Sequence, residues 1–124
     1  MEKGKTLVDC RDNMLNQIYI AHKEVLNVKR NLEDNLRFIN ETQAGLNKYK
    51  TILNGFLLAH CSSTRFDVTD KQIEMAKDTV KNKQRALHYL ILNRKYLKSK
   101  HKAAQRRESK AFRRLRKFDV KNFR

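Results

Sequence analysis

The sequence predicts an all-α protein, an elongated two-helix antiparallel coiled-coil hairpin, and three observations carry that expectation. Apolar residues recur on a seven-residue period through two long runs. One short stretch rich in small hydroxyl residues separates the runs. Proline is absent from all 124 residues and glycine occurs only three times, so little inside either run removes a backbone donor or adds a hinge. With 40% hydrophobic and 34% charged residues, the chain is too apolar for a disordered tail and too charged for a compact sphere. A thin rod with one apolar seam fits that balance.

The first run can be followed from Leu7 to Phe56 without a skip. One set of seam positions reads Ile18, Val25, Leu32, Ile39, Leu46, Leu53, aliphatic throughout. The other reads Leu7, Met14, Ala21, Val28, Asn35, Thr42, Tyr49, Phe56, and only Asn35 and Thr42 break the apolar rule. The second run has Phe66, Ile73, Val80 and Leu87 at one position, and Ala76, Leu90, Leu97, Ala104, Ala111 and Phe118 at the other. Lys83 interrupts the second of these sets; Arg94, His101 and Glu108 continue the first, and Leu115 restores it. Polar seam residues cost stability and fix register; here they are expected to thin the seam toward the C-terminal end.

Between the runs, His60-Cys61-Ser62-Ser63-Thr64-Arg65-Phe66-Asp67 reads as a loop. Thr69 followed by Gln72 forms a capping box that restarts a helix, and Asp67 and Asp70 suit the positive end of its dipole. The expected organisation is a single helical hairpin over 1–124: a helix over about 6–60, a loop over about 61–67, and a helix over about 68–120. A short loop between helices of about 50 residues forces them antiparallel, over about 75–80 Å. Folding there sets Arg94 near Leu32 and Asn35, and the C-terminal tail beside the N-terminal third. The competing arrangement is a longer helix that pairs only in an oligomer.

Charge is uneven. Of the net +16, the segment 98–124 supplies +10, with twelve Lys or Arg against Glu108 and Asp119. Such density repels itself along a helix, which implies an acidic partner. The candidate partner-binding residues are Arg106, Arg107, Lys110, Arg113, Arg114, Arg116 and Lys117. A basic stripe also suits nucleic acid through phosphate contacts, or an anionic membrane surface, although the tail carries no nucleic-acid fold signature. A solvated basic face with no dedicated ligand is the bland reading. Outside the seam, Tyr89, Leu92 and Tyr96 recur at i, i+3 and i+7, with Met75 on the same side, as a second apolar stripe for a partner helix or groove. Leu57, Leu58 and Phe66 make the loop region a candidate sticky tip.

Other functions find no support in the residues. No run approaches the ~18 apolar residues that span a bilayer, and the N-terminus leads into no signal-like apolar stretch, so a cytoplasmic location is expected. Cys10 and Cys61 sit too far apart along a helix to bridge within one hairpin, and read as reduced thiols. His22, His60, His88 and His101 have no metal-site spacing. There is no phosphate loop, no Ser/His/Asp or Cys/His arrangement, and no expected pocket to tune a carboxylate. The expectation is a protein without catalysis, cofactor or metal.

The two heptad helices, the capping segment Phe66-Asp67-Val68-Thr69-Asp70-Lys71-Gln72-Ile73 and the charged Gln105-Arg106-Arg107-Glu108-Ser109-Lys110 together resemble the FliJ/YscO family, the central stalk proteins of flagellar and virulence type III secretion ATPases. The resemblance covers nearly the full chain and is one of architecture. Asn-, Lys- and Ile-rich usage looks like an AT-rich virulence locus, favouring the injectisome branch. The resemblance implies a stalk inside a hexameric ATPase ring, at the base of a membrane-embedded secretion apparatus. Such a stalk stimulates ATP hydrolysis and couples it to the export gate. The basic helix would then face an acidic pore surface, leaving Tyr89, Leu92 and Tyr96 for gate or chaperone contacts. A basic helical RNA-binding or ribonucleoprotein assembly factor is the alternative.

Overall fold

The structure, a computed structural model, describes residues 6–61 and 69–123. The expected loop over 61–67, Phe66 as seam and tip residue, Asp67 at a helix start, the Cys61 thiol and Arg124 lie outside the described side chains. Two helices make an all-α antiparallel hairpin: α1, Leu7–Cys61, of 55 residues, and α2, Asp70–Asn122, of 53 residues.

Each helix starts on a reciprocal cap. At α2 the Thr69 amide donates to Gln72 Oε1 at 3.0 Å and the Gln72 amide to Thr69 Oγ1 at 3.2 Å, the expected capping box. With Thr69 as the cap, the first helical residue is Asp70 rather than 68. The same device opens α1, where the Thr6 amide donates to Asp9 Oδ2 at 3.2 Å and the Asp9 amide to Thr6 Oγ1 at 3.1 Å. His60, in the last turn of α1, pairs with Asp70, in the first turn of α2, at 3.4 Å. A basic side chain at the C-terminal end of one helix and an acidic one at the N-terminal end of the other each suit the dipole there.

The chain divides into two compact units, a middle unit of Asp34–Arg94 and a terminal unit of Met1–Glu33 with Lys95–Arg124. In the middle unit Leu46, Ile73, Ala76 and Val80 are buried, with Ile39, Leu53, Leu87 and Leu90 half-buried around them. These are seam positions. Two polar seam residues are accommodated there by specific partners. Asn35, only 3% exposed, donates from Nδ2 to the Leu90 carbonyl at 3.0 Å and accepts from Arg94 at 3.5 Å. Lys83 lays its side chain across Gly45, where an added Cβ would sit 3.3 Å from Nζ, and places its ammonium 5.3 Å from the Tyr49 ring centre. A missing side chain on one helix thus makes room for a long one on the other.

In the terminal unit Ile18, Ala21, Val28, Leu97 and Ala104 are buried, and Met14, Val25, Leu32, Ala111, Leu115 and Phe118 are half-buried. Three cross-helix pairs define its register: Arg11 with Asp119, His22 with Glu108, and Glu24 with Arg107. Numbers rise along α1 as they fall along α2, as antiparallel packing requires. Those pairs put position 28 opposite 102–103, and the adjoining seam residue of α2 is Ala104, so Val28, 2% exposed, and Ala104, 0% exposed, fall in one layer. The seam is therefore closed where thinning was expected: His101 and Glu108 are half-buried, and alanine between them lets the helices meet. Leu7 departs from its seam assignment and is 48% exposed. The register would place its partner at or beyond 123, past the end of α2 at Asn122.

Candidate partner-binding surface of the terminal unit

The basic segment of α2 packs against the first half of α1, and the register decides which of its charges are balanced. Both of the segment's carboxylates turn toward α1. Glu108 Oε2 meets His22 Nδ1 at 2.6 Å. Asp119 takes two hydrogen bonds from the Arg11 guanidinium, at 3.0 and 3.4 Å. The bond to Asp119, and then its charge, raises the Arg11 pKa above its usual value. Among the described residues, one cation of 98–123 forms an ion pair, Arg107 with Glu24 Oε1 at 2.8 Å. The positive charge of this surface thus has almost no internal balance.

Arg107 and Arg114 are seven residues apart, each directly before a seam position of α2, and Lys110 lies between them. That spacing lines the three cations along one flank of the seam. With Gln17, Ile20, Ala21 and Glu24 of α1 and Ala111 of α2 they form a groove, apolar in its floor and cationic on the α2 side. Ile20 is exposed within it. Glu24 and Arg107 are both partly solvent-exposed, so their pair is worth about 0–1 kcal/mol. A carboxylate from a partner can therefore displace Glu24 at small cost. Arg113, Arg116 and Lys117 gather elsewhere, with Lys121 around Val120, on the side of α2 turned away from α1. Arg106 is exposed and belongs to neither group.

The second proposed stripe is placed differently. Tyr89, 70% exposed, and Leu92 belong to the middle unit, and Tyr96, 62% exposed, to the terminal unit. Tyr89 lines a groove with Lys81, Gln84, Arg85 and His88, and its ring lies 6.3 Å from that of His88. It therefore sits among polar and cationic groups. Met75, Leu57 and Leu58 are exposed in the middle unit.

Sequence reasoning passed over Arg11, His22, Glu24 and Ile20. The signal was present for Glu24 and Arg107, which flank seam positions on facing helices, but pairing them needs the register. Cys10 is a free, half-buried thiol. Among the described residues no group of three His, Cys, Asp or Glu side chains gathers as metal ligands, and no helix is long and apolar enough to cross a membrane.

Fold and surface define a coiled-coil-like two-helix protein suited to protein–protein interaction. No family model matches the chain, and neither does a curated protein or a solved structure.

Proposed function

We propose that the chain is a docking protein without chemistry of its own, and that it serves as the central stalk of a type III secretion ATPase. In this reading the terminal unit binds the acidic pore surface of the hexameric ring, stimulates ATP hydrolysis and couples it to the export gate. One observation supports it above the rest. Arg107, Lys110 and Arg114 line an apolar-floored groove whose charge the chain balances only at Arg107, through Glu24, because Glu108 and Asp119 are already held by His22 and Arg11. A groove of that composition fits a protein surface carrying carboxylates beside apolar side chains. The cations facing away from α1 suit a ring that surrounds the stalk, and they equally suit phosphates, which keeps RNA as the competing ligand.

The test mixes the full chain with the secretion ATPase of its own organism and follows ATP turnover. Stimulation is expected, and R107E/K110E/R114E should abolish it while the far-ultraviolet helix signal is kept. Unchanged stimulation by that variant sinks the assigned groove, and no stimulation by the native chain sinks the stalk. Copurifying RNA, lost on nuclease treatment and released steeply by salt, would decide for the RNA-binding alternative.

A further inference from the structure

The flank of the terminal unit opposite the cationic groove carries a second, apolar surface that the heptad seam does not use. Val8 and Leu15 each directly follow a seam position of α1, whereas Gln17 and Glu24 each directly precede one. The two sets therefore lie on opposite sides of the seam. Val8, Leu15, Tyr19 and Leu26 are all exposed, at spacings of seven, four and seven. That is the period of a helix-packing stripe. His22 completes it and holds Glu108 of α2, which ties the stripe to this side of the unit. At its start Val8 lines one groove with Val120 of α2 and Phe123 just past its end, both exposed. An exposed apolar run of this length on a small unit marks an interaction site.

We infer that this stripe docks an acidic amphipathic helix of a partner protein, packed beside α1 and α2 as a third helix. Two observations choose that occupant. Past its start, where Asp12 lines the groove at Val8, cations border the stripe on α1: Lys23 lies 5.5 Å over the Tyr19 ring, and Lys29 and Arg30 follow. The α2 segment of the same unit, residues 95–122, carries twelve Lys and Arg against Glu108 and Asp119, and both of those carboxylates are taken. A second copy of this chain would bring like charge against like, so self-pairing is opposed where an acidic helix is attracted. The surface is separate from the groove assigned to the ATPase, and the inference stands whether or not that assignment holds.

The probe is a fluorescently labelled peptide of about three heptads, leucine at the two seam positions and mostly glutamate elsewhere. A second peptide has the same composition with the order scrambled. Binding to the full chain is followed by anisotropy at low salt. The ordered peptide should bind at least about tenfold more tightly than the scrambled one, and L15S/Y19S/L26S should remove about tenfold or more of that affinity. These three side chains are exposed, so helicity should persist, and Tyr19→Ser alone serves if the triple variant loses it. The groove variant R107E/K110E/R114E should weaken the ordered peptide less than the stripe variant does. Equal binding of the two peptides would reduce the surface to net charge and overturn the inference. So would stripe variants that bind unchanged, or a chain dimer in sedimentation that those variants dissolve.

Discussion

The layer shared by Val28 and Ala104 offers a direct test of the register in the terminal unit. Val28→Ala removes two methyl groups from a side chain only 2% exposed. At about 0.8 kcal/mol per buried carbon the transfer loss is about 1.6 kcal/mol, and incomplete collapse around the gap brings it to about 2 kcal/mol. Ala104→Val pushes the same two carbons into a layer with no free surface, at 0% exposure. Overpacking costs about 1–3 kcal/mol and the branched side chain adds about 0.5 kcal/mol of helix propensity. Independent sites would lose about 4 kcal/mol together, but the double variant conserves the volume of the layer. It should lose only about 1–2 kcal/mol, a coupling of about 2 kcal/mol. Urea unfolding followed at 222 nm measures each corner of the cycle. In thermal scans of a chain this long, 1 kcal/mol corresponds to about 4 °C. Losses that add to within about 0.5 kcal/mol would refute the shared layer, and with it the register drawn from Arg11–Asp119, His22–Glu108 and Glu24–Arg107.

Two further outcomes follow from the middle unit. Thr69→Ala removes one half of the α2 capping box and should cost about 1 kcal/mol. Amide exchange should quicken first at Gln72, whose N–H loses the hydroxyl and keeps only the Thr69 carbonyl, 3.0 Å away, and an unchanged exchange rate there would discredit the cap. Gly45→Ala should stabilise by about 0.5 kcal/mol. The helix gains nearly 1 kcal/mol from alanine, part of it offset when the new methyl displaces the Lys83 ammonium from Tyr49. The group in the way is the free end of a flexible side chain, 3.3 Å from the added carbon. A net loss above about 1 kcal/mol would mean that the lysine cannot move.

The hairpin was legible in the sequence because its information is one-dimensional. A seven-residue period names the buried face, and a capping box names a helix start; Ile73, Val80 and the Thr69–Gln72 pair needed nothing more. Even the meeting of Arg94 with Asn35 followed from folding the chain at one loop. What stayed hidden depends on which residue lies opposite which. Lys83 looked like a fault in the seam because Gly45, which makes room for it, is 38 positions away. Glu108 looked like a second fault until His22 was placed beside it. Leu7 erred in the other direction, since periodicity cannot tell that the facing helix has ended. The Thr6–Asp9 cap was readable and was passed over, its aspartate being a shorter stand-in for the usual glutamate or glutamine. The candidate surface was half legible: density of charge named the cations, but only the register separated the groove residues Arg107, Lys110 and Arg114 from Arg113, Arg116 and Lys117.

The pairs that hold the two units differ in how much chain must be gathered to form them, and this orders events in time. Asn35 and Leu90 close a span of 55 residues, His22 and Glu108 one of 86, and Arg11 and Asp119 one of 108. Each doubling of a closed span adds about 0.6 kcal/mol of entropy to be overcome, so closure favours the middle unit first and the Arg11 end last. Synthesis imposes the opposite schedule on the α1 half of the terminal unit, which leaves the ribosome before any of its α2 partners exists. At about 5–20 residues per second, Arg11 waits roughly 5–20 seconds for Asp119 to be made. Through that interval both apolar faces of the segment, the seam of Ile18 and Val28 and the stripe of Leu15, Tyr19 and Leu26, are open together. Holding that nascent segment apart from other chains is a requirement that the finished hairpin no longer shows.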